Sequence, residues 1–169
     1  MRLFAQLRRL GLCCVLLIAG LSSGASAGTL TDQLIGTWKL ERYENYDAKG
    51  HVTYLYGEHP AGYFVYDPTG HLSVQIMRTP PLPPFASGDD KKGTDAEVIA
   101  AFNDYVAYFG TYRVDEQKHV VTHIVEGSLQ PKFTGTEQPR PFRLEGDVLI
   151  IELSTPDGVR YFRQLRRVR

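Results

Sequence analysis

Few side chains in this 169-residue chain are of a type and spacing that could do chemistry, and His123 leads them. It alternates with Val121 and Val125 in a run that reads as a strand. If that face turns inward, a titratable imidazole sits among apolar groups, where its pKa can be tuned for acid or base work. If it turns outward, the histidine is ordinary, and the residue pattern leaves both open. The other histidines, His51, His59, His71 and His119, are scattered singly. His119 and His123 share a parity, but four extended residues separate them by roughly 13 Å, too far for two ligands of one zinc ion. No metal and no cofactor is therefore expected. Gln75 shares a strand face with Ser73 and Met77, and Arg78 shares the other with Val74 and Ile76. Gln75, Met77 and Arg78 are candidates for ligand contact or simply satisfied polar and packing groups. Tyr105 and Tyr108 lie three apart and could bring hydroxyls to a cavity mouth, Tyr105 more as packing. The chain has no phosphate-binding glycine loop, no H-E-x-x-H and no C-x-x-C. Its one G-x-S-x-G match, Gly24 to Gly28, does not lie at a strand-to-helix elbow.

The elements that must position these groups are mostly strands. Alternating runs separated by turn signals predict strands over 35–46, 51–56, 62–67, 71–78, 110–115, 119–128, 140–145, 148–154 and 160–168. Asp67-Pro68-Thr69-Gly70, Gly146-Asp147 and Pro156-Asp157-Gly158 supply the reversals between them. Residues 79–93 carry too many prolines for a central strand and read as an extended surface loop. Thr94-Asp95-Ala96-Glu97 is a capping box. The spacing of Val98, Phe102, Tyr105 and Phe109 predicts a helix over 95–108 that packs by this face and ends at Gly110. An open sheet of so many strands would leave two edges and an apolar face in water, so closure into an all-β, antiparallel, up-and-down barrel of about 8–10 strands is the expected architecture. The helix stands at its mouth, and a β-sandwich is the main competitor.

Composition narrows the setting. Arg2, Arg8 and Arg9 precede an apolar run from Leu10 to Leu21, and Ala25-Ser26-Ala27 follows. This is the layout of a secretory signal peptide, and the run is shorter than the roughly 20 residues a membrane-spanning helix needs. Cleavage after Ala27 is expected, leaving a short linker over 28–33, a domain over 34–169, a periplasmic or secreted location and no stable membrane anchor. Both cysteines, Cys13 and Cys14, belong to the export segment, so the mature domain must stand on its core without disulfides. Subtracting the three arginines from 19 basic residues leaves 16 against 19 acidic, a net charge of −3. That balance provides no basic field for nucleic acid.

Gly36-Thr37-Trp38 on the first strand and Arg166-Arg167 near the end of the last resemble the short signature of lipocalins and their relatives. Further segments resemble the lipocalin-like domain family across 34–168: Tyr56-Gly57-Glu58 with Pro60 and Gly62-Tyr63, Ser73 to Arg78, Phe85 to Asp89, Tyr105 to Tyr112, Thr122-His123 with Ser128-Leu129, and Gly135 with Gln138 and Arg140. The resemblance implies a calycin-like barrel whose floor is closed by Trp38 with an arginine of the last strand laid over it. Arg163, Arg166 and Arg167 are all candidates for that arginine. It implies no common reaction, because fold is not function.

Trp38 and Leu40, Phe142 and Leu144, and Leu149, Ile151 and Leu153 form the expected inward sets. They would line an apolar cavity with few polar groups, as small-molecule pockets are lined. The expected function is binding of a small hydrophobic or aromatic molecule, contacted by residues drawn from Trp38, Gln75, Met77, Arg78, Tyr105, Tyr108, His123 and Arg140. Its entrance is expected near the helix and the 79–93 loop. An isomerase or cyclase using His123 and a packed barrel that binds a protein partner are the alternatives.

Overall fold

The computed structural model describes residues 28–169, so the expected export segment lies outside the described residues. Nine antiparallel strands run in sequence: β1 (Gly36–Tyr46), β2 (Val52–Thr53), β3 (Ala61–Tyr66), β4 (His71–Met77), β5 (Tyr105–Asp115), β6 (Val120–Ser128), β7 (Glu137–Glu145), β8 (Val148–Ser154) and β9 (Arg160–Arg167). Each pairs with the next, except that β1 pairs with β3, and β2 only caps the end of β1. β9 returns to β1 with Trp38 opposite Arg167 and Tyr46 opposite Arg160. Eight strands thus close into a barrel, which removes both edges and excludes the sandwich.

One end of the barrel is solid. Leu34, Trp38, Leu40, Tyr66, Val121, Leu149 and Leu165 are each at most 2% exposed. The Trp38 indole donates to the carbonyl of Leu34 at 2.8 Å, and the Arg167 guanidinium lies 4.1 Å from the ring centroid. Such a cation over an indole contributes about 0.5–2 kcal/mol. Gly36 makes the crossing possible: its φ is +136°, and a Cβ there would come within 2.8 Å of an Arg167 nitrogen. Among the three candidate arginines, Arg167 covers the floor. Arg166 instead pairs with Glu41, and Arg163 points into the open half of the barrel.

Most of the segment ahead of β1 is helical. Thr29 and Asp32 form a capping box that starts helix α1 (Leu30–Leu34), and Leu34 plugs the floor. The strand expected over 51–56 shrinks to β2, because the chain turns at Tyr54 to Gly57 and folds Tyr56 inward against Tyr43. The 79–93 segment is a surface loop, tied to the helix that follows by a 2.7 Å bond from the Ala86 amide to Glu97.

The largest correction concerns that helix. α2 spans Asp95–Asn103, starts at the expected capping box and stops at Asp104, five residues before Phe109. From Tyr105 the chain is strand, paired with β4 from Met77 opposite Tyr105 to His71 opposite Thr111. The run Tyr105-Val106-Ala107-Tyr108-Phe109 satisfies both a helical and a two-residue period, and pairing with β4 decides for the strand. The expected packing face dissolves accordingly: Val98 and Phe102 are 50% and 42% exposed, and Phe109 is 58% exposed on the outer wall. Gly110 is no helix stop. It lies in β5 at a register shift, where a Cβ would overlap the Ile124 carbonyl oxygen.

Candidate functional site

The half of the barrel away from the floor is hollow. Its cavity holds about 460 Å³, within the range of small-molecule sites. Apolar walls come from Phe64, Ile76, Val106, Ile151 and Leu153, and Phe133 closes over them from the 3-10 turn Pro131–Phe133. The polar groups are Tyr43, Tyr56, Tyr108, Gln130, Gln138, Arg140, Tyr161 and Arg163. The packed-barrel alternative required an interior filled throughout, which this is not.

Strand parity explains most of this lining. On β7, Gln138 and Arg140 continue the inward series of Phe142 and Leu144, and on β9 Tyr161 and Arg163 continue that of Leu165 and Arg167. Tyr43 breaks parity with Trp38 and Leu40. A bulge between Leu40 and Arg42 turns the strand so that an odd residue follows two even ones into the interior.

At the base of the cavity stands a three-membered chain. His123 is fully buried on the inward face of β6 with Val121 and Val125. The Tyr66 hydroxyl lies 2.8 Å from its Nε2 and the Tyr108 hydroxyl 3.0 Å from its Nδ1. Burial, helped by the Arg140 charge, pushes the His123 pKa down to about 3. The ring is therefore neutral, with one donor and one acceptor nitrogen. Tyr66 is 1% exposed and has no other hydrogen-bond partner among the described residues. Its hydroxyl proton must go to Nε2. Nδ1 then carries the ring proton and donates to Tyr108, whose own hydroxyl proton is left to point into the cavity. Burial raises the phenol pKa of Tyr108 to about 12 and that of Tyr66 well above 10, so both remain donors.

The two arginines are placed differently. The Arg163 guanidinium carbon lies over Tyr43, 3.3 Å from the ring centroid, and the group donates to the carbonyls of Glu44 and Phe162 and to Asn45 Oδ1. Burial lowers its pKa while Tyr43 supports its charge. Arg140 donates to the Pro139 carbonyl at 3.2 Å and to Gln138 Oε1 at 3.3 Å, and its charge acts on Tyr108. Burial raises the Tyr56 pKa to about 12, so this wall also offers a neutral hydroxyl.

Of the residues expected at the site, Tyr108 and Arg140 line the cavity, and His123 stands behind Tyr108 rather than in the wall. Tyr108 arrives on β5, not on a helix. Trp38 lies in the floor, outside the lining. Gln75 and Met77 are on the outer wall, because Leu72, Val74 and Ile76 take the inward face of β4; Gln75 bonds Ser73 at 2.6 Å. Arg78 is a rim tie, 2.5 Å from Asp104 and 2.6 Å from the Leu55 carbonyl. Tyr105 offers its carbonyl to Gln130 and does not line the cavity. Neither α2 nor the 79–93 loop contributes to the lining. Tyr56, Gln130 and Phe133 do, from the two loops that were not expected at the entrance.

The 4'-hydroxy-3'-methoxypropiophenone carrier protein ppsC of Aspergillus oryzae is 37% identical over 90 residues, covering 50% of this chain and 78% of the relative. Among solved structures, a redesigned β-barrel overlays with a TM-score of 0.43 at 13% identity, covering 86% of this chain and all of the other. A variant of the fluorescent protein UnaG overlays at 0.38 and 15%, covering 81% and 97%. A family model described as the lipocalin-like domain matches residues 35–163, and the chain belongs to that family.

Proposed function

We propose that this protein is exported and that it binds and carries a small hydrophobic or aromatic molecule inside the barrel. The observation that carries the reading is the hollow upper half: about 460 Å³ walled by aromatic and aliphatic side chains, over a solid floor. A protein that needed only a stable barrel would fill this space, because an apolar void forfeits dispersion contacts. The carrier role named for the relative from Aspergillus oryzae supports the same reading. A role for His123 as a direct acid or base has less support, since the ring is sealed behind Tyr108 and burial holds it neutral.

Native mass spectrometry of the chain purified from its own host tests both halves. The expected species begins at Gly28 and carries a small molecule that dissociates on activation. A full-length chain in the membrane fraction overturns export. A chain that arrives empty and binds no aromatic probe overturns the carrier reading.

A further inference from the structure

Arginine charges in this barrel are nearly all neutralised. Among the described residues there are ten arginines. Eight of them form ion pairs with carboxylates: Arg42, Arg78, Arg113, Arg143, Arg160, Arg166, Arg167 and Arg169. The two without a carboxylate are Arg140 and Arg163, and both line the cavity. No carboxylate among the described residues shares that lining.

Two like charges lining one cavity are unfavourable, and the Arg140 charge is one cause of the lowered Arg163 pKa. Guanidinium groups are placed this way where something else supplies the negative charge. Donors remain to receive it. Arg163 uses both Nη atoms on the protein and Arg140 does the same, but neither Nε–H has an acceptor among the described residues, and neither nitrogen is sealed from solvent. The free hydroxyl proton of Tyr108 joins them, because His123 supplies a proton to its oxygen and takes none.

We propose that the cavity takes its ligand as a monoanion: a small aromatic molecule whose ionised oxygen acid, a carboxylate or an acidic phenol, lies against Arg140 and Arg163 and accepts a hydrogen bond from Tyr108. The proposal rests on the carrier reading above. The ring system lies along the apolar walls with Phe133, and the anion offsets one of the two guanidinium charges that no carboxylate among the described residues pairs with.

The test uses two probes with one ring system, 1-anilinonaphthalene-8-sulfonate and the neutral N-phenyl-1-naphthylamine, titrated into the mature protein by fluorescence. The sulfonate should bind at least about tenfold more tightly. Arg140→Gln should weaken binding of the sulfonate far more than binding of the neutral probe, so that most of the preference is lost. Equal affinities in the parent protein, or a preference that survives Arg140→Gln, overturn the proposal while leaving the carrier reading intact. If neither probe binds, both fall.

A second measurement needs no variant. 4-Nitrophenol bound in the cavity should show its phenolate band at a pH about one unit or more below that in water, and an unshifted or raised transition overturns the proposal. Competition of 4-nitrophenol and 4-nitrobenzoate for the sulfonated probe then tells an acidic phenol from a carboxylate, and failure of both to compete also overturns it.

Discussion

Tyr66 of β3 and His123 of β6, which belong to strands that do not pair, meet across the barrel interior with 2.8 Å between the phenol oxygen and Nε2. Because Tyr66 has no other partner among the described residues, this bond sets the histidine tautomer and, through Nδ1, the direction in which Tyr108 donates. A buried imidazole used in this way is a fixed dipole, and it shapes the cavity without entering it.

Its burial has a pH signature. The folded pKa of about 3 lies below the ordinary 6.5, so the unfolded chain takes the proton first as pH falls. The contribution is complete above about pH 6.5 and is lost on the way down towards pH 3; from pH 7 to 5 the loss is about 2 kcal/mol. Urea denaturation at these two pH values should show it in the parent and not in His123→Gln, since the other four histidines are exposed. Parallel pH dependences in the two proteins would mean that His123 is protonated in the fold.

The floor should be the most sensitive part of the core. Trp38→Ala removes a fully buried indole and should cost about 3–5 kcal/mol. Arg167→Met, which loses the cation over that ring and its bond to the Ile35 carbonyl, should cost about 1–2 kcal/mol. A loss under about 1 kcal/mol for Trp38→Ala would show that the tryptophan is not the plug.

Gly110→Ala tests the strand that replaced the end of the expected helix. In the barrel the added Cβ meets the Ile124 carbonyl, so the cost should reach about 2 kcal/mol or more. A cost under about 0.5 kcal/mol, the range of an unconstrained surface site, would place residue 110 outside β5.

The entrance can be tested by kinetics. Phe133→Ala should speed release of N-phenyl-1-naphthylamine in stopped flow, because Phe133 is part of the cavity wall. Deleting residues 82–92 should leave release unchanged, because that loop contributes nothing to the lining. The reverse pattern would return the entrance to the proline-rich loop.

Much of the barrel is legible in the residue order, because strand alternation and turn chemistry are local. The inward sets Trp38 with Leu40, Phe142 with Leu144, and Leu149 with Ile151 follow from a two-residue period. So do the reversals at Gly70 and Gly146, where φ is positive. Arg140 was among the expected contacts, and Gln138, which shares parity with it and with Phe142, was within reach of the same reasoning. Three things were decided only by tertiary structure. The aromatic run from Tyr105 fits two periods, and its pairing with β4 chose one, placing Tyr108 in the cavity. The bulge after Leu40, which turns Tyr43 inward, depends on how β9 meets β1. Tyr66, 57 positions from His123 in sequence, becomes its partner only when the sheet closes, because no local pattern relates side chains that face each other across a barrel.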